Sequence, residues 1–236
     1  MFAPTDDFLA QACAQTLIDL PAKTAETAVC DAMDQIFSLA DGVWRSRCSS
    51  MDYLRTAPPL ACRAGCGWCC HQTVGITVPE AVRIAVALRD LPADLTAAVI
   101  ELDRKTRGMT PAQRVQSQTA CAFLGVDGNC RIYHVRPLRC RGLYSTDAKF
   151  CEQSCCDPDG MQEKLARGLL QPVFLSLPQG IYDGALSGVL MAVKKRRWAL
   201  VSLELSAAVA ALTADPALIR KWLAGGKPAA NLSLTA

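Results

Sequence analysis

Helical periodicity dominates both ends of the chain and fails in the middle. From 6 to 20, Leu9, Cys13, Leu17 and Leu20 recur on one stripe and Pro21 stops the pattern, so an amphipathic helix is expected. Residues 25–48 predict a longer helix. Val29, Met33, Ile36, Phe37, Ala40 and Trp44 make its buried face, with Thr24 as the expected N-cap. Thr77-Val78-Pro79-Glu80 has the form of a capping box and predicts a helix to about Arg89. Asp90-Leu91-Pro92 restarts the chain as another helix, closed by Arg104, Lys105 and Arg107 with Gly108 as the stop. Thr110-Pro111 opens a short third one. Beyond 158 the helical pattern resumes over 158–169, 179–195, 197–213 and 216–224, with Asp157-Pro158 and Asp215-Pro216 as starts. Gly225-Gly226 ends the last of these, and the Ala-, Ser- and Thr-rich end reads as a frayed tail.

The non-periodic middle begins after Pro58-Pro59. Cys62, Cys66, Cys69 and Cys70 fall within nine residues, and Gly65 and Gly67 let that stretch turn tightly. Cys121 and Cys130 flank two short apolar pieces joined at Asp127-Gly128, a favoured tight-turn pair, which predicts a hairpin over 121–133. Arg136-Pro137 leads on to Cys140, and Cys151, Cys155 and Cys156 make a further compact group. The expected fold is therefore mainly α, a helical domain around a cysteine-rich irregular metal site with a short β-hairpin. N-terminal helices (1–57) pack on the core, a cysteine region spans 58–157, and C-terminal helices (158–236) complete the same domain.

Composition changes the picture through cysteine alone. Thirteen cysteines in 236 residues call for disulfides or metal, and the odd number argues against a full disulfide framework. The start, Met1-Phe2-Ala3-Pro4-Thr5-Asp6-Asp7, has neither the basic nor the apolar part of a secretory signal. No apolar run approaches the ~20 residues of a membrane span. A cytoplasmic location is the expectation, and reduced thiols favour metal over staples. A net charge of +3 gives no broad footprint for nucleic acid. The expected partners are a metal ion or cluster and a redox or substrate protein, with no nucleic acid and no membrane.

Cys13, Cys30 and Cys48 lie on or beside helical core faces and read as small hydrophobes. The remaining candidates, Cys62, Cys66, Cys69, Cys70, Cys121, Cys130 and Cys140, surround turn residues and arginines, where core filling explains little. Ligands of a single metal at ~2.3 Å lie within about 4 Å of one another, so these sulfurs should share one small pocket. A donor set of thiolates disfavours calcium, magnesium and the two-His-one-carboxylate iron site. Zinc and [4Fe–4S] remain, each satisfied by four thiolates. Adjacent Cys69 and Cys70 point in different directions, so seven thiols imply a multinuclear cluster or two neighbouring sites. Arg136, Arg139 and Arg141, with Arg131 nearby, could offset the negative charge of such a centre and donate to its sulfurs. They could equally be solvated around a turn. His71 and His134 are candidate outer-shell donors, and Lys194–Arg197 reads as a solvated helix end.

The combined pattern resembles the YkgJ-type cysteine-cluster family, described as zinc- or iron-chelating. It runs Cys62-x3-Cys66-x2-Cys69-Cys70, then Cys121-x-Phe123-Leu124, then Asp127-Gly128-x-Cys130-x-Ile132-Tyr133-x-x-Arg136-Pro137-x-x-Cys140-Arg141. The resemblance covers roughly 62–141, about a third of the chain, and implies metal binding without a single reaction. A flagellin lysine methylase carries a similar cluster, but nothing outside 62–141 ties this chain to it. The implied role is an Fe–S cluster or a zinc or iron ion serving electron transfer, metal handling or a modification reaction. A non-catalytic chelating module is the alternative. Cys62-x3-Cys66-x-Trp68-Cys69 also matches the three-cysteine motif of radical-SAM enzymes, without the strand–helix repeats of their barrel. Cys66-Gly67-Trp68-Cys69 could serve thiol redox chemistry, but lacks a βαβ setting. No phosphate loop, dinucleotide fingerprint or nucleophile elbow is present.

Overall fold

Leu9, Cys13 and Leu17 are buried on one side of α1 (Pro4–Ile18), as the stripe predicts. The computed structural model describes residues 4–171 and 173–234. Helix α1 packs along α10 (Ser176–Lys195) at Gly188, where a Cβ would lie 2.2 Å from the Ala10 carbonyl oxygen. Helix α2 (Glu26–Cys48) buries the whole predicted face, Val29 through Trp44. Cys13 and Cys30 are buried, and Cys48 packs partly buried against the core. Burial pushes the Cys13 thiol up to about 12 and Cys30 to about 11, the behaviour of inert core thiols.

Thr24 does not cap α2. Ala25 holds the cap position and has no side chain to offer. Arg196, just past α10, takes the Thr24 hydroxyl instead. Its guanidinium donates to Thr24 Oγ1 and to the carbonyls of Leu17, Ile18, Leu20 and Pro21. Orphan carbonyls at the end of α1 are thereby satisfied by a forked donor. The basic run at 194–197 is therefore not wholly a solvated end.

A short helix unforeseen in the pattern, α3 (Met51–Thr56), is capped by Ser50. The box at Thr77 opens α4 (Val78–Ala87), with both reciprocal bonds made. Helices α5 (Ala93–Thr106) and α6 (Pro111–Gln116) follow, the latter with a second capping box at Thr110. Then come α7 (Leu138–Gly142), α8 (Ala148–Cys156) and α9 (Pro158–Ala166), whose starts Asp147 and Asp157 cap with their side chains. After α10 lie α11 (Leu205–Ala214) and α12 (Ala217–Leu223).

The predicted helix over 197–213 begins only at Leu205. The apolar run before it is extended, and β2 (Leu203–Glu204) pairs antiparallel with β1 (Gly75–Ile76), Ile76 facing Leu203. A short apolar run has no period of its own, and the helix starts at the cap supplied by Glu204, which accepts from Ala207 N. The predicted hairpin over 121–133 contracts to a tight loop with one bridge, Leu124 to Cys130, around the expected Asp127-Gly128 turn. Nor does the C-terminal segment fray as far as Leu234, the last described residue. Leu232 is buried, Ser233 bridges Leu203, and Leu234 N donates to Ser202 O at 2.9 Å. Leu232→Ala should cost about 2 kcal/mol, the low end for a buried leucine. An unchanged urea midpoint would show that this segment is not docked in solution.

Candidate metal centre

Backbone hydrogen bonds fold the two cysteine stretches onto each other. Within the first, Cys66 N donates to Arg63 O, and Cys70 N donates to Gly67 O inside the turn Trp68–His71. Cys121 N then donates to Cys70 O at 2.7 Å, which joins the stretches at their thiols. The 125–130 loop docks on the first stretch. Asn129 Oδ1 accepts from Gly65 N at 2.8 Å, and Gly128, at φ +74°, lies directly against Gly65. The third piece, α7, carries Arg139, Cys140 and Arg141. Its first N–H, Leu138 N, donates to Glu80 Oε1 at 2.9 Å, and Glu80 Oε2 accepts from Thr77 N and Thr77 Oγ1. One fully buried carboxylate thus closes the capping box of α4 and anchors the helix that presents Cys140.

These pieces enclose a cavity of about 210 Å³. Cys69, Cys70, Cys121, Cys130 and Cys140 line it, with Arg136, Arg139 and the apolar walls of Phe123, Ile132 and Leu138. Cys69 and Arg139 are exposed and form its rim. Asp183 also touches the wall. Burial pushes Cys121 up to about 12 and holds Cys130 and Cys140 above the ordinary thiol range. A hydrogen bond from Cys70 holds Cys69 down at about 7, and the same bond raises Cys70. Arg136 opposes burial at Cys62, Cys69, Cys130 and Cys140. Its guanidinium lies 4.0 Å over the Tyr133 ring, and its Nε is buried without a partner.

Soft donors, a cavity and a half-buried cation whose Nε has no partner fit a thiolate-bound metal or cluster. The closed ligand geometry is not preformed. Among the described residues no three His, Cys, Asp or Glu side chains already stand so as to hold a metal ion. Loading would have to turn thiols inward about χ1, a motion between staggered wells.

The other predicted residues separate from this group. Cys62 and Cys66 are not on the cavity wall, and Cys62 Sγ accepts from Ser145 N at 3.2 Å. Arg141 is also absent from the wall. It is buried, donates to Asp41 at 2.7 Å and to the carbonyls of Arg136 and His134, and stacks 4.2 Å over Phe37. Its donors hold α2 to the turn before α7 instead of reaching for sulfur. Arg131 forms an exposed pair with Asp94. His71 Nδ1 lies 3.3 Å from Trp68 O, and His134 is exposed. Cys155 and Cys156 end α8, their carbonyls accepting from Gln118. All thirteen cysteines are free thiols. Sequence reasoning missed Glu80 as the anchor of α7 and Ser145 beside Cys62. The capping box signals Glu80 as a local bond only, and no signal marks Ser145.

Residues 61–157 match the family model CxxCxxCC, "Putative zinc- or iron-chelating domain". The match agrees with the cysteine-cluster resemblance and extends it to the thiols of α8. No curated protein and no solved structure matches the chain. No helix among the described residues is long and apolar enough to cross a membrane.

Proposed function

We propose, from the match of residues 61–157 to the CxxCxxCC family model, that the chain is a metalloprotein that holds an Fe–S cluster on thiolates drawn from Cys62, Cys66, Cys69, Cys70, Cys121, Cys130 and Cys140. The observation that carries this reading is the five-thiol cavity with the unpartnered Nε of Arg136 buried beside it. A multi-thiolate centre is anionic, and an apolar pocket holding a spare cationic donor suits it better than it suits a neutral ligand. A bound cluster supplies one-electron transfer. The residues of the chain do the rest. Phe123, Ile132 and Leu138 keep water from the sulfurs, and Arg136 offsets their charge. The rim of Cys69 and Arg139 is the face a redox or substrate protein would approach. Electron transfer, metal handling and a modification reaction are all roles such a centre can serve.

The second reading is a chelating module for zinc or iron without turnover, which the family description favours. Anaerobic purification followed by iron, sulfide and zinc analysis separates the two. The Fe–S reading expects a coloured protein that bleaches with dithionite. A colourless protein with stoichiometric zinc would leave the chelating module. Arg136→Gln should weaken metal retention by roughly 10–100-fold, as loss of a supporting partner does, and lower any reduction potential, since the reduced centre is more negative. Unchanged retention and potential would remove Arg136 from the site.

A further inference from the structure

We propose that Cys151 is a metal ligand, completing with Cys62, Cys66 and Cys69 a second four-thiolate site beside the one formed by Cys70, Cys121, Cys130 and Cys140. The inference rests on the metalloprotein reading above and adds a ligand and a division of the thiols to it.

Ser145 is the point at which the geometry turns. It is 2% exposed and holds the first cysteine stretch to the head of α8. Ser145 N donates to Cys62 Sγ at 3.2 Å, and Ser145 O accepts from Ala61 N at 2.9 Å. Its hydroxyl donates to Asp147 O and accepts from Asp147 N, and it stands beside the Cys151 thiol, opposing the rise that burial gives that group. Cys62 and Cys151 therefore hang on two sides of one buried residue. Asp147 fixes the helix that carries Cys151 by accepting from Lys149 N and Phe150 N. Cys151 sits one turn into α8, where side chains lean back toward the N-terminus and so toward Ser145. Helix α8 packs directly on the turn Trp68–His71 that presents Cys69.

The thiols divide by neighbour. Those whose charge reaches Cys151 are Cys62, Cys66 and Cys69. Those that reach Cys70 are Cys69, Cys121 and Cys140. Cys69 stands at the junction, reaching Cys62 and Cys151 on one side and Cys70, Cys130 and Cys140 on the other; assigned to the first group, it gives each group four sulfurs, the number zinc or a cluster requires. Cys155, one turn further along α8, has only Cys156 as a thiol neighbour. On binding, each S–H gives its proton to solvent as a sulfur–metal bond forms, with no change of oxidation state.

Titration of the metal-free full-length protein with Co(II) under anaerobic conditions tests this, read by thiolate-to-cobalt charge transfer. Wild type should take two equivalents. Cys151→Ser, which keeps a hydroxyl for Ser145, should take one, as should Cys140→Ser. Cys155→Ser should still take two. Cys62→Ser should match Cys151→Ser, and the Cys62→Ser/Cys151→Ser double variant should fall no lower than one. Two equivalents of undiminished intensity in Cys151→Ser, saturation of wild type at one, or further loss in the double variant would overturn the second site. No cobalt bound by wild type would instead overturn the metalloprotein reading itself.

Discussion

Gly128→Ala is expected to lower stability by about 2–5 kcal/mol and to strip metal from the protein. Two costs add. Gly128 sits at φ +74°, in the left-handed region, where a side chain costs roughly 1–2 kcal/mol. Its new Cβ would lie 2.3 Å from Gly65 O and 2.8 Å from Gly65 C. Both atoms are backbone, so no side chain can rotate away, and overpacking of this kind costs about 1–3 kcal/mol. The only relief is to part the two loops. That breaks the bond between Gly65 N and Asn129 and moves Cys66 relative to Cys130. Urea unfolding together with the Co(II) titration reads both effects. A variant that unfolds at the wild-type midpoint and binds metal fully would show that the two loops are not docked through these glycines.

Glu80→Ala should be about as damaging, about 3–5 kcal/mol, the cost of leaving three buried donors without their acceptor. It strands Thr77 N, Thr77 Oγ1 and Leu138 N together. A chain of this length should then melt roughly 6–20 °C lower. Glu80 also gives stability a pH signature. Burial holds its carboxyl above the ordinary range, against the bonds from Thr77 and Leu138. The folded chain thus keeps this proton where the unfolded chain has released it. The contribution is whole below the ordinary glutamate value of ~4.3 and is lost as pH rises through the raised native value. Glu80→Gln cannot ionise, so the stability of wild type minus that of Glu80→Gln should fall from pH 4 to pH 7. Parallel curves would mean that Glu80 titrates as an ordinary carboxyl.

What the sequence discloses and what it hides divide by range. Thr77 and Thr110 are legible as caps because a capping box is complete within four residues. Thr24 is not, because the competitor for its hydroxyl is Arg196, distant in sequence. Leu203 reads as helix until its partner Ile76 is known, since only pairing makes a two-residue strand. The candidate thiols stand out as a set by spacing alone. Their placement around the cavity does not, because it depends on how the loops of Gly65 and Gly128 meet. Arg141 belongs by its neighbours in the chain to the site and by its bonds to Asp41 and Phe37, a hundred residues earlier.

The cysteine segment is not a portable part. One strand of its sheet, β1, lies within 61–157, and the other, β2, lies outside. Helix α4 is buried along nearly its whole length and leans on α2 and α11, and α7 leans on α10. Excised, the segment would present those apolar faces and an unpaired strand edge to water, the combination that drives chains to aggregate. Its natural currency of exchange between proteins is therefore larger than the thiol pattern. A chain that inherits the cysteines must also inherit, or reinvent, the helical surfaces that hold them.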